Sequence, residues 1–197
     1  SLRVVKVLEY EGKGLNLCWE TCDGIHGHSG PHQPQTLEGQ VVRIADRIAY
    51  INHDIDDALR AGILSESDLP AAPCDVLGHT SNARITTLVN DVIASSVGRD
   101  HISLSPKIEE AMLELRRFMF AQVYESDTAK GEEPKAKDLV KTLFAWYLDH
   151  SDRVPAEYRN IAGTTPVQAA VDFVAGMTDR YALRRYEQLF LPHSWQL

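Results

Sequence analysis

Asp46, Tyr50, Asp54 and Asp57 follow one another at intervals of four, four and three residues, with Arg47 beside the first. On a helix, side chains three and four positions apart stack along one face. This spacing would therefore line up carboxylate, phenol and carboxylate, with a guanidinium at one end. A carboxylate is a hard oxygen ligand for Mg²⁺ or Mn²⁺, and an adjacent guanidinium neutralises a phosphate held on such a metal. A phenol one turn on can stack or hydrogen-bond, and a second carboxylate can accept from a sugar hydroxyl. The same pattern also suits an exposed amphipathic helix making i,i+4 contacts, and spacing alone leaves both readings open.

Other groups invite chemistry less strongly. Cys18, Cys22 and His26 fall four residues apart, with His28 and His32 beyond. One helix face could offer them to Zn²⁺, but the spacing matches no established zinc pattern; the alternative is a buried Cys18, an incidental Cys22 and a histidine-bearing loop. His28 and His32 could instead border an active-site mouth. Arg180, Arg184 and Arg185, beside Asp179 and Tyr181, could reach a phosphate but read better as a charged helix surface. Arg116-Arg117 before Phe118, Met119 and Phe120 is weak support for nucleic-acid stacking, and core packing of the aromatics is the better reading. Trp146 and Tyr147 read as core or interface residues.

The elements that must position these groups are helices, because alternation of period two is almost absent. The strongest runs from Thr36, a plausible N-cap, to Ala61, with Gly62 placed to end it. Val41, Ile44, Ile48, Ile51, Ile55 and Leu59 recur along it at helical spacing and predict a buried face opposite the polar line. Leu2, Val5 and Leu8 predict the tail of a helix up to Tyr10, and a further helix is expected from Leu15 to about Gly27. Ser65–Leu69 is at most a short turn before Pro70 and Pro73. Ser81 to Val97 predicts a helix with Ile85, Leu88, Val89, Val92 and Ile93 inward. Ser105-Pro106 places a hydroxyl before proline at the start of the next, which extends to about Tyr124. Asp127 to Pro134 reads as a charged, mobile loop, followed by a helix from Lys135 to Asp149 and a short connector from Pro155 to Ile161. The last helix is expected to run unbroken from Thr164-Thr165-Pro166 to about Phe190, with Gly176 inside it. The expectation is an all-α, irregular multi-helix fold, with residues 1–197 forming a single helical domain or a fragment of one.

The chain has 197 residues, 44% of them hydrophobic and 24% charged, which is ordinary globular composition. Its formal net charge of −8 argues against general nucleic-acid binding, which needs a basic footprint. No run approaches the roughly 18 apolar residues of a membrane span, and Ser1–Val5 lacks a signal-peptide pattern. Three cysteines (Cys18, Cys22, Cys74) do not make a disulfide framework, so a cytoplasmic setting is expected.

The segment Asp46-Arg47-x-x-Tyr50-x-x-x-Asp54 resembles the helix that follows the HD motif in dNTP triphosphohydrolases of the HD superfamily. The flanking Glu38–Ala45 and Asp56–Gly62 blocks resemble the bacterial dGTPase-like branch. So do Gly14–Glu20 and Asp172–Ala182, so the likeness reaches both ends of the chain in order. The resemblance implies an HD-domain-like helical fold, its C-terminal portion, and hydrolysis of dNTPs, with dGTP a candidate, to deoxynucleoside and inorganic triphosphate. It implies that Asp46 is the last ligand of an H…HD…D metal set for Mg²⁺ or Mn²⁺ and that Arg47 contacts the triphosphate. Tyr50 would pack beside the deoxyribose, where a 2′-hydroxyl would crowd it, and Asp54 would bind the 3′-hydroxyl. It also implies a homo-oligomer.

The family's first His and its His-Asp pair precede the segment matched from Ser1. The dipeptide His53-Asp54 cannot replace that pair, because Asp54 already falls on the sugar-contacting position. The expectation is a chain with one of four metal ligands, inactive by itself, from a longer protein. The alternative is a non-catalytic helical oligomerisation or nucleotide-regulatory module.

Overall fold

Thr36 opens the longest helix of the first unit by accepting a hydrogen bond from the Gly39 backbone N–H, 3.1 Å away. The structure, a computed structural model, describes residues 2–124 and 127–192. Its regular elements are all helices, with no strand among the described residues. The helices of seven residues or more are α1 (Trp19–Gly27), α2 (Leu37–Arg60), α3 (Ala71–Leu77), α4 (Ser81–Ser96), α5 (Pro106–Met119), α6 (Asp127–Asp149), α7 (Pro166–Ala175) and α8 (Asp179–Phe190). They divide into two compact units, one spanning Leu17–Ala129 and the other joining Arg3–Asn16 to the chain from Lys130 onward.

In the first unit Ile48, Ile51, Ile55 and Ala58 of α2 pack with Cys74 and Leu77 of α3, Leu88 of α4, and Ala111, Met112, Leu115 and Met119 of α5. These side chains are almost wholly removed from water, and burying each large one stabilises the fold by about 1.5–3 kcal/mol. The expected inward stripes are wider than the buried contact. Val41 is 46% exposed, and Val89 and Ile93 of α4 are also exposed. With Ile44, Ile48, Ile85 and Val92 they line an open apolar groove between α2 and α4.

The α1–α2 crossing depends on glycine. A Cβ at Gly39 would lie 2.6 Å from Pro34 Cβ and 3.3 Å from the Gly24 Cα. Gly39→Ala is therefore expected to destabilise the first unit by about 1–3 kcal/mol through overpacking. A urea unfolding midpoint equal to that of the parent would contradict this.

Several expected boundaries move. The segment before Tyr10 is a π-helical stretch, Val4–Leu8, and Tyr10 and Glu11 adopt positive φ of 51° and 56° within Glu9–Gly12. α1 begins at Trp19, after Cys18, four residues beyond the expected start. α3 was not expected at all. Pro73 is its third residue, where the missing N–H has no intrahelical partner to lose, so the proline starts this helix instead of preventing one. The charged stretch expected as a loop is helical from Asp127, and α6 passes through Pro134. The single last helix is two. Gly176 ends α7, and Thr178 starts α8 afresh by accepting from the Tyr181 N–H at 3.3 Å.

In the second unit Tyr147, fully buried, meets Phe173 edge-on at 4.9 Å and accepts two hydrogen bonds from Arg185, at 2.7 and 2.9 Å. Arg185 is thereby committed to its own core. Buried Asp172 takes a bidentate pair from Arg3, 2.7 and 2.6 Å, and a third hydrogen bond from Gln168 at 2.9 Å. The Arg3 hydrogen bonds outweigh burial and hold the Asp172 carboxyl below the usual carboxylate range. A depressed folded pKa adds stability that is present above the unfolded value, near 3.9, and lost as pH falls through the folded one. Asp172→Asn should accordingly lower the melting temperature at pH 7. The gap to the parent should close as the pH drops below about 4, and a gap that persists at pH 2 would contradict it.

Candidate functional site

α2 delivers the candidate residues because its 3.6-residue period keeps Asp46, Tyr50 and Asp54 in register while Ile48, Ile51 and Ile55 anchor the helix in the core. Asp46, Arg47 and Tyr50 line one cavity of about 830 Å³, walled by His28, Ser29 and Gly30 and by Met112, Leu113, Arg116 and Phe120 of α5 and its π-helical extension. Ile51 completes its floor, so the polar line and the apolar face meet inside the cavity. Asp46 and His28 also line a second cavity of about 650 Å³, on the α1 side, with Glu20 and Glu38.

Asp46 is exposed and makes no hydrogen bond or ion pair to a described residue. Arg47 has no carboxylate partner among the described residues, and its charge adds to burial in pushing the pKa of Arg43 down. Tyr50 is half-buried against the core. Asp54 is half-buried and is not among the residues lining the 830 Å³ cavity. Burial first, and the charge of Asp57 second, raise its pKa, with His53 opposing. Asp57 is exposed and paired with Arg60 at 3.2 Å.

The wall at His28–His32 is held by a residue the sequence does not single out. Arg43, buried on α2, donates to the carbonyls of Gly27, His32 (2.9 Å) and Gly30 (2.7 Å). Asp23 adds a second clasp, accepting from His32 Nε2 at 2.9 Å and from the Gln35 N–H at 2.6 Å. Those two bonds hold the Asp23 carboxyl below its ordinary range. His28 Nδ1 lies 2.7 Å from the Ile25 carbonyl. A carbonyl oxygen only accepts, so Nδ1 carries the proton and Nε2 keeps a lone pair in the neutral ring.

The cysteines reverse the expected roles: Cys18 is exposed, with Sγ 3.2 Å from Thr21 Oγ1, and Cys22 is buried. Among the described residues no three His, Cys, Asp or Glu side chains are grouped to hold a metal ion. Asp46 offers one carboxylate, and the described residues do not by themselves group into a metal site. The cavity as it stands can bind an anion through its arginines and cover an apolar or ring-shaped group with Tyr50 and Ile51.

No helix among the described residues is long and apolar enough to cross a membrane. Residues 102–188 match the model of a phosphohydrolase-associated domain. Proteins named deoxyguanosinetriphosphate triphosphohydrolase-like match almost the whole chain. The one from Caldanaerobacter subterraneus subsp. tengcongensis is 50% identical over 196 residues, 99% of this chain and 58% of its own length. That from Clostridium tetani is 43% identical over 98% of the chain and 58% of its own length. That from Bordetella pertussis is 32% identical over 96% and 63%. The chain thus spans roughly three fifths of the length of the curated relatives it matches. Aligned nearly from end to end at up to 50% identity, it is a homologue of the deoxyguanosinetriphosphate triphosphohydrolase-like proteins.

Proposed function

We propose that this chain is the C-terminal portion of a metal-dependent dNTP triphosphohydrolase, and that the cavity beside Asp46 is part of its nucleotide site. The observation that carries the reading is the meeting of Asp46, Arg47 and Tyr50 in one cavity, in a chain whose relatives are named deoxyguanosinetriphosphate triphosphohydrolase-like. Arg47 holds a phosphate. Tyr50 packs against the deoxyribose, where a 2′-hydroxyl would crowd the ring, and Asp54, one turn further along α2, accepts from the 3′-hydroxyl. Asp46 supplies one ligand to Mg²⁺ or Mn²⁺, the others coming from outside these residues. Such an ion, when bound, would activate water and offset charge on the phosphoryl oxygens. By itself the chain is inactive; in the whole protein it works in the cytoplasm as part of a homo-oligomer.

The test is phosphate-product analysis with each dNTP and Mn²⁺, run on this chain and on the full-length gene product. Inorganic triphosphate from the long form and none from this chain is the expected result. Nucleoside monophosphate as product would point to another phosphate ester chemistry. No turnover by either would favour a non-catalytic oligomerisation or nucleotide-regulatory module.

A further inference from the structure

The α5 wall of the cavity carries a cation that the line of residues on α2 does not include. Arg116 lines the cavity from α5, and its guanidinium carbon sits 5.0 Å from the centroid of the Phe120 ring one turn on. Its neighbour Arg117 is already committed to Glu110, 2.8 Å away. Arg116 has no carboxylate partner among the described residues. In a chain of net charge −8, one cavity thus gathers two arginines, 47 and 116, from two helices, against a single lining carboxylate, Asp46.

The geometry suits a phosphate contact. A guanidinium held over a ring by cation–π attraction still has N–H groups to offer, in the fork that matches phosphate oxygens bidentately. The contact with Phe120 also restricts a long side chain that would otherwise lose more rotamer freedom on binding. Two cations on separate helices fit a ligand with several anionic oxygens, as a polyphosphate chain has.

We propose that Arg116, backed by Phe120, is a second phosphate-binding arm of the site, contacting the polyphosphate chain together with Arg47. This rests on the nucleotide-site reading above.

The test uses the full-length gene product, with dGTP as substrate and inorganic tripolyphosphate and deoxyguanosine as competing probes. Arg116→Gln is expected to raise the KM for dGTP and the inhibition constant of tripolyphosphate together, each by about tenfold, as expected for one charge-assisted contact. The inhibition constant of deoxyguanosine should stay unchanged, Arg116→Lys should restore part of the loss, and Phe120→Leu should raise both constants by a smaller factor. Equal weakening of tripolyphosphate and deoxyguanosine would assign Arg116 to packing and overturn the proposal. Unchanged constants in Arg116→Gln, with dGTP still hydrolysed to triphosphate, would overturn it and leave the nucleotide site intact. If neither dGTP nor tripolyphosphate binds the parent protein, the nucleotide-site reading falls and this proposal with it.

Discussion

Replacing Asp46 by Asn in the full-length gene product is expected to lower metal-dependent triphosphate release by more than about a hundredfold. Loss of a group that only orients a metal ligand already costs about 10–100-fold in affinity or activity, and Asp46 is proposed as a ligand itself. The amide keeps the shape and loses the charge, so the loss should not be recovered by raising dNTP. The same substitution in this chain should change unfolding free energy by no more than about 0.5 kcal/mol. Asp46 is exposed and bonds to no described residue, so nothing in the core depends on it. Turnover undiminished in Asp46→Asn would remove the residue from its assigned role. Turnover lost together with the fold would make that role structural.

The second large effect belongs to Arg43. Arg43→Met should destabilise the first unit by about 3 kcal/mol, measured by urea unfolding. It withdraws a charged donor from three carbonyls, one of which belongs to buried Gly27. Hydrogen bonds from a charged group contribute about 1.5–3 kcal/mol each, and the carbonyls left near the surface recover part of that from water. Lysine should rescue little, because one ammonium cannot span the carbonyls of residues 27, 30 and 32 as a planar fork does. The clasp also fixes the segment bearing His28, Ser29 and Gly30, which wall the cavity at Asp46. Triphosphate release should therefore fall in Arg43→Met even at temperatures where the protein stays folded. A variant as stable as the parent would contradict the clasp as described.

These two residues mark how far the sequence can be read. Asp46 is legible because its partners lie four residues apart on the same helix, and local periodicity writes that spacing directly into the chain. The ends of α2 are legible for the same reason: Thr36 caps one and Gly62, at φ 68°, follows the other. Arg43 is not legible. Its three acceptors lie 11 to 16 residues away, at the end of α1 and on the irregular segment after it, and backbone carbonyls leave no residue-type signal.

Prolines and glycines misled where their position in the turn matters more than their presence. Pro73 sits in the first turn of α3, so a residue read as a breaker is compatible with the helix. Gly176 reads as an interior glycine of a long helix. A Cβ there would lie 3.2 Å from the Asp172 carbonyl and 3.3 Å from the Tyr158 hydroxyl, contacts that only the fold reveals. Arg116 was legible only as half of a basic pair in front of aromatics. What separates it from Arg117 is tertiary: one is held by Glu110 and the other lies over Phe120 in the cavity wall. The exposed side of Val41, Val89 and Ile93 is a further case, since periodicity marks an apolar stripe but not how much of it a neighbouring helix covers.

The most direct test of the nucleotide site is a crystal structure of the full-length gene product with a non-hydrolysable dGTP analogue and Mn²⁺. The nucleotide is expected in the 830 Å³ cavity, with phosphate oxygens within hydrogen-bonding distance of Arg47 and the deoxyribose against the Tyr50 ring. A nucleotide bound elsewhere, with Arg47 and Tyr50 both free of it, would contradict the assignment of this cavity as the nucleotide site.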